Sequence, residues 1–166
     1  MKKKNKKILG IDPGTKYIGF ALLENEKLVH YGVKTIPRLP TSREMLNEGK
    51  KIVSRLMDDF KPDMLVVEKT FFGNNADSVL LNTFTVQIRR IGKKKGLKIV
   101  SIATNTVRKA VCGNGAASKD EVARAIVLKY PQLKPYLTSD KRWKEKYHRN
   151  MFDAVALAIV VEHLGK

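Results

Sequence analysis

The sequence predicts an α/β fold built on a mixed five-stranded sheet, and three observations carry that expectation. Three apolar runs open the chain with only short polar separators, as in an antiparallel meander. Two later apolar runs, MLVV at 64–67 and KIVSIA at 98–103, each follow a long stretch of helical periodicity. The order β-β-β-α-β-α-β-α-α therefore gives a three-strand meander plus two parallel strands joined by right-handed crossovers, with helices on the faces.

The elements follow in order. KILGID at 7–12 is a short apolar run closed by an acid, YIGFALL at 17–23 is the second strand, and LVHYGVKTI at 28–36 the third, with ENEK as the hairpin turn between the last two. Thr41 to Phe60 is predicted helical: Met45, Leu46, Gly49, Ile52, Val53, Leu56 and Phe60 share one face. Thr41 and Glu44 have capping-box spacing, and Lys61-Pro62 ends the helix. The second helix spans Ala76 to Lys95, with Leu80, Phe84, Ile88 and Ile91 in line and a GKKKG terminus. A short helix is expected at Thr106–Cys112, then a Gly113-Asn114-Gly115 turn. Ser118 and Glu121 then open a helix that Pro131 stops. Residues 131–149 are polar, basic and poorly periodic and are expected to be a loop; the last helix is expected from Asn150 onward.

Length and composition narrow the function. With 166 residues, the expectation is a single domain, 1–166, with residues 1–6 as a basic tail. Lys and Arg number 33 against 16 Asp and Glu, a net +17, which favours polyanionic partners, nucleic acid first. Cys112 is the only cysteine, which excludes an internal disulfide and a thiolate metal cluster and suits a cytoplasmic compartment. No apolar run approaches the roughly 20 residues of a membrane helix. The lysine-rich start leads into ILGIDPGTKYIG, which carries an acid and two glycines where a signal peptide needs an apolar stretch. Neither a GxxxxGK[ST] nor a GxGxxG phosphate loop is present.

Three acids stand where acids are costly. Asp12 ends ILGI, Glu68 ends MLVV, and Asp153 lies in MFDAVALAIVV, a segment apolar on nearly all sides. A carboxylate removed from water must be paired, protonated or bound to metal. Each acid alone could be structural; three together point to one shared site. Oxygen-only ligands select a hard cation, Mg²⁺ or Mn²⁺, and one Cys with three scattered His does not make a zinc site. Two such ions could hydrolyse a phosphodiester, a substrate that matches the charge.

The motifs that carry these acids resemble those of a known family. ILGIDPGTKYIGFALL, VVEKTFFGNNADS, RKAVCGNGAASKDEV and FDAVALAIVVEH are similar, in order and spacing, to four segments of RuvC-type Holliday junction resolvases. The resemblance implies a ribonuclease-H-like fold and a homodimer that cuts four-way DNA junctions symmetrically. It also implies two Mg²⁺ per active site and products bearing 5′-phosphate and 3′-hydroxyl. By position, Asp12 would bridge both metals, Glu68 and Asp153 would each ligate, Phe71 would stack on bases, and Lys119 and Arg108 would lie near the scissile phosphate. Core packing is the alternative for Phe71, and ordinary helix-start solvation for Lys119. A dimer face is offered by Val79, Thr83, Val86 and Arg90 on the second helix, unless that face lies against the last helix. No branch-migration motor is legible as a partner.

Two departures bear on the site. Family members carry Asp or His three residues before the last Asp; here the position holds Asn150. Three residues is one helical face, so Asn150 could complete the metal site. His148 is the alternative ligand if it lies in a loop, and Asn150 could instead be only an N-cap. The second departure is the length of 131–149. Its Lys134, Lys141, Arg142, Lys144, Lys146 and Arg149, with Tyr136, Trp143 and Tyr147 interleaved, suit DNA, Arg142 and Lys144 above all, though a solvated loop anchored by Trp143 would look the same. The alternatives to junction cutting are a related nuclease on other branched DNA or structured RNA, and a junction-binding protein that does not cut.

Overall fold

The computed structural model describes residues 6–70, 73–137 and 142–164, with only the backbone of 142–146. Five strands, β1 (Lys7–Asp12), β2 (Tyr17–Glu24), β3 (Lys27–Thr35), β4 (Met64–Glu68) and β5 (Lys98–Ile102), form one sheet in the order β3-β2-β1-β4-β5. The first three pair antiparallel; β4 joins β1, and β5 joins β4, in parallel. The β2–β3 hairpin closes on Asn25 and Glu26, both with positive φ (49° and 71°), which matches the strand twist that tight hairpins need.

The parallel strands are reached through α1 (Ser42–Phe60) and α2 (Ala76–Lys94), which cover one face of the sheet. Thr41 and Glu44 make the expected capping box, and Lys61 ends α1 in the left-handed region. The side-chain alternation of a strand divides the core in two. Leu9, Ile11, Leu65 and Val67 pack toward α1 and α2. Ile8, Met64 and Val66 pack toward the other face, which is covered by α3 (Thr104–Cys112), α4 (Lys119–Lys129) and α6 (Arg142–Leu164). From Ala154 to Val161 α6 is apolar all round because it lies there between the sheet and α3 and α4, and every residue of that stretch is buried.

Two glycines let α6 sit this close. A methyl group on Gly10 of β1 would overlap the carbonyl of Ala154, and one on Gly19 of β2 would overlap the backbone at Asn150 and Met151. The helix backbone therefore rests on strand backbone at those points.

The segment 131–149 differs from the expected loop. Pro131–Leu133 is a turn of 3₁₀ helix, Lys134–Leu137 is a short α5, and α6 begins at Arg142, two turns before Asn150. Burial of Leu133 anchors the first part. Ring contacts hold the second: Tyr147 meets Tyr17 edge-on at 5.1 Å between centroids, and His148 meets Tyr136 at 4.9 Å. These contacts join residues far apart in sequence, so local periodicity does not register them. Helix α3 starts at Thr104, two residues before the expected Thr106.

Replacing Gly10 by Ala is expected to cost at least about 1–3 kcal/mol, the cost of overpacking a closed core. Urea denaturation measures it; an unchanged midpoint would contradict the backbone-on-backbone seat.

Candidate active site

Parity and register assemble the acids. The β1–β4 ladder pairs Gly10 with Val66 and Ile11 with Val67, so Asp12 and Glu68 end neighbouring parallel strands. Both share strand parity with Ile8, Met64 and Val66, so both face α6. Asp153 stands on α6 beside Ala154, the residue seated on Gly10. The three acids thus reach one end of the sheet from three elements.

Their mutual effect is electrostatic. Burial first, then the charges of Asp153 and Glu68, hold the Asp12 carboxyl well above the usual carboxylate range, with Lys119 pulling the other way. Asp12 keeps part of its surface open at a cleft edge, but its carboxyl is ringed by protein. Glu68 is also raised, by burial and then by Asp153, against the opposing charges of Lys119 and Arg108.

Cations and donors surround the acids. Lys119 Nζ lies 3.0 Å from Asp153 Oδ2. Its place is set by the α4 capping box, in which the Glu121 backbone N–H donates to Ser118 Oγ at 3.2 Å and the Ser118 N–H to Glu121 Oε2 at 2.6 Å. Arg108 on α3, with Thr104, Lys119 and Asp153, lines a cleft of about 290 Å³ on one side of Glu68. A second cleft of about 210 Å³ opens on the Asp12 side, lined by Pro13, Lys69, Ser78, Asn82 and Thr85 as well as Asp12 and Glu68. Three residues at the site had no distinguishing sequence signal. Thr104 Oγ1 donates to Glu68 Oε1. Arg89 Nη2 donates to the Glu68 carbonyl at 3.4 Å. Lys69 lines the second cleft. Thr104 and Arg89 act through strand-end and helix-start geometry that the sequence does not display.

The donor set suits a hard cation: Asp153 and Glu68 raise the cost of ionising Asp12, Asp153 raises that of Glu68, and positive charge relieves both. As the side chains stand, no three acid, imidazole or thiol groups among the described residues converge on one point, and Lys119 supplies the positive charge at Asp153. Asn150 lies on the same face of α6 as Asp153, and its Nδ2 donates to the Tyr17 carbonyl at 3.2 Å, tying α6 to the start of β2. It is therefore an interior helix residue and not an N-cap. His148 is not brought to the acids. Because α6 is already helical there, His148 is turned about 140° around the helix from Asp153. Its ring packs against Tyr136 and Tyr147.

Phe71 lies outside the described residues, as do the side chains of Arg142 and Lys144, whose backbone belongs to α6. His30 stacks on Phe60 at 4.8 Å, and His163 lies 3.2 Å from Lys129 Nζ, both away from the acids. No helix among the described residues is long and apolar enough to cross a membrane.

Comparison with known proteins places the sequence in a family and the fold beside solved structures. Residues 8–161 match the family described as Crossover junction endodeoxyribonuclease RuvC. A relative of that description from Bdellovibrio bacteriovorus is 34% identical over 120 residues, covering 69% of this chain and 71% of its own length. The structure of Thermus thermophilus RuvC in complex with Holliday junction substrate superposes with a TM-score of 0.73 at 20% identity, covering 93% of this chain and 92% of that one. The yeast mitochondrial Holliday junction resolvase Ydc2 superposes at 0.71 with 13% identity, covering 95% and 78%. The shared architecture is the ribonuclease-H-like fold expected from the sequence.

Asp12 carries a pH signature in the metal-free protein. An acid whose protonation is favoured by folding adds stability below the ordinary carboxylate range and loses it as pH rises through its raised value. Metal-free protein is therefore expected to lose stability over that window. Asp12→Asn should flatten the loss and raise the melting temperature at neutral pH. Thermal unfolding in chelator across pH 4–8 checks this; a variant no more stable than wild type at pH 7 would contradict the enclosed, repelled carboxylate.

Proposed function

This chain belongs to the RuvC family of crossover junction endodeoxyribonucleases, and from that premise we propose that it resolves four-way DNA junctions by metal-dependent phosphodiester hydrolysis at Asp12, Glu68 and Asp153. The observation that carries the site is the convergence of these acids on one end of the sheet, where Asp153 and Glu68 raise the cost of ionising Asp12 and Asp153 raises that of Glu68. A protein that only bound junctions would gain nothing from mutually repelling carboxylates in a trough flanked by Lys119 and Arg108. A metal-loaded nuclease would.

Two Mg²⁺ or Mn²⁺ ions would supply the Lewis acidity that activates the attacking water and neutralises the leaving 3′ oxygen. Asp12, between the other two acids, is the residue suited to hold both; Glu68 and Asp153 would take one each, with Asn150 as a neutral neighbour at the Asp153 corner. Thr104 holds one Glu68 oxygen in place. Lys119, which pairs with Asp153 here, would offset charge on the phosphoryl group in the transition state. Arg108 shares that cleft and would contact the same strand. The cut would leave 5′-phosphate and 3′-hydroxyl ends.

A homodimer fits a substrate with two strands to cut. Support comes from α2, which lies on the sheet face opposite α6. There it leaves Val79 56% exposed, with Thr83 and Arg90 also open. The cytoplasm is the compartment in which such an enzyme meets its DNA.

The test is purified protein with Mg²⁺ or Mn²⁺ on an immobile four-way junction, a flap, a linear duplex and a structured RNA, with product ends mapped. Paired nicks in opposing junction strands are expected, with the other substrates cut poorly. Asp12→Asn should bind the junction and cut it at least about a hundredfold more slowly, the scale of losing a transition-state contact. Failure of the wild type to nick in either metal would overturn the enzyme reading, and equal cutting by Asp12→Asn would overturn the site.

A further inference from the structure

The trough continues past Asp153. A third cleft lies where the start of α4 meets α5 and α6, lined by Lys119, Asp120, Tyr136, Arg149, Phe152 and Asp153. Lys119 and Asp153 also wall the cleft that holds Glu68, so the two adjoin. Glu68 is shared in the same way between that cleft and the one at Asp12. Three clefts thus follow one another with the candidate metal ligands as the ridges between them. A nucleic-acid strand whose reacting phosphate sits at those ridges must leave through a flanking cleft.

Two features of the third cleft mark it as a place for that strand. The first is charge. Lys119 is engaged with Asp153, but Arg149 is exposed and makes no ion pair among the described residues. It sits one residue before Asn150 and four before Asp153, so the helix that aims Asp153 also fixes Arg149 beside it. A guanidinium is a strong phosphate donor. The second feature is a held aromatic ring. Tyr136 meets Tyr31 edge-on at 6.0 Å and His148 at 4.9 Å. The chain of rings continues from His148 to Tyr147 at 5.0 Å and from Tyr147 to Tyr17 at 5.1 Å. A half-buried ring braced in this way offers an apolar surface at small entropic cost.

We infer that Arg149 and Tyr136 form a nucleotide subsite next to the scissile phosphate, Arg149 gripping the neighbouring backbone phosphate and the Tyr136 ring packing on its sugar. This rests on the junction-nuclease reading of the trough. Arg149 is a binding residue here and touches no reacting atom.

The experiment uses junctions carrying a single neutral methylphosphonate, moved one position at a time on both sides of the cut, with wild type, Arg149→Gln and Arg149→Lys. Binding is measured without divalent metal as a function of salt, and cutting with Mg²⁺. Arg149→Gln is expected to bind about tenfold more weakly at low salt, with the salt slope reduced by about 1. It should raise KM more than it lowers kcat, and Arg149→Lys should recover the slope. One methylphosphonate adjacent to the cut should weaken wild type and leave Arg149→Gln unaffected. Wild-type protein that cuts the junction, with Arg149→Gln matching it in affinity, slope and response at every position, overturns the subsite alone. Wild-type protein that neither prefers nor cuts the junction overturns the proposed function and the subsite with it.

Discussion

Helix α6 lies on the sheet with no layer of side chains beneath it at two points, Gly10 and Gly19, where any larger residue would collide with helix backbone. That contact fixes both the depth and the rotation of the helix. Ala154 rests over β1 and Asn150 over β2, so the residue just before Ala154 has one direction left to face, toward the ends of β1 and β4. Asp12 and Glu68 end those strands on the same face. The meeting of three carboxylates is thus a result of packing. A helix displaced outward by one methyl group would leave Asp12 and Glu68 adjacent and move Asp153 away from both.

The assembled site is unfavourable in isolation, and its surroundings show how that is managed. Burial and like charge raise Asp12 and Glu68, while Lys119 and Arg108 oppose the rise at Glu68. Each opposing cation is delivered by a short helix with its own local determinants. Ser118 and Glu121 cap α4 so that Lys119 is its first residue, and α3 starts at Thr104, which bonds Glu68 directly and carries Arg108 one turn later. The same cations that oppose the charge of the acids would meet a phosphate if metal took the acids, as proposed. The net charge of +17 extends that logic over the whole surface and favours association with DNA at long range.

Much of this was legible in the sequence because it depends on short-range patterns. The five apolar runs, both capping boxes and the two long amphipathic helices follow from local spacing, and their order fixes the sheet. Asp12, Glu68 and Asp153 stood out because each is an acid beside a long apolar stretch. The failures share a cause. The loop expected at 131–149 has little periodicity of its own, and its described parts, 131–137 and 142–149, are helical, anchored by Leu133 and the rings of Tyr17, Tyr136 and Tyr147, contacts that span the chain. The early start of α6 then turns His148 away from the helix face that carries Asp153 and places Asn150 inside the helix. Thr104 and Arg89 look like ordinary surface residues until β4 ends beside them. Nothing in their neighbourhoods encodes that meeting.

The central claim is that Gly10 and Gly19 seat α6 so that Asp12 shares divalent cations with Glu68 on one side and Asp153 on the other. A crystal soaked in Mn²⁺ tests it most directly, through the anomalous signal of the ion. The account predicts peaks within about 2.0–2.3 Å of Asp12 oxygens, a distance close to that of a hard octahedral cation, one also touching Glu68 and one also touching Asp153. Mn²⁺ bound elsewhere, or bound at Glu68 without Asp12, would contradict it.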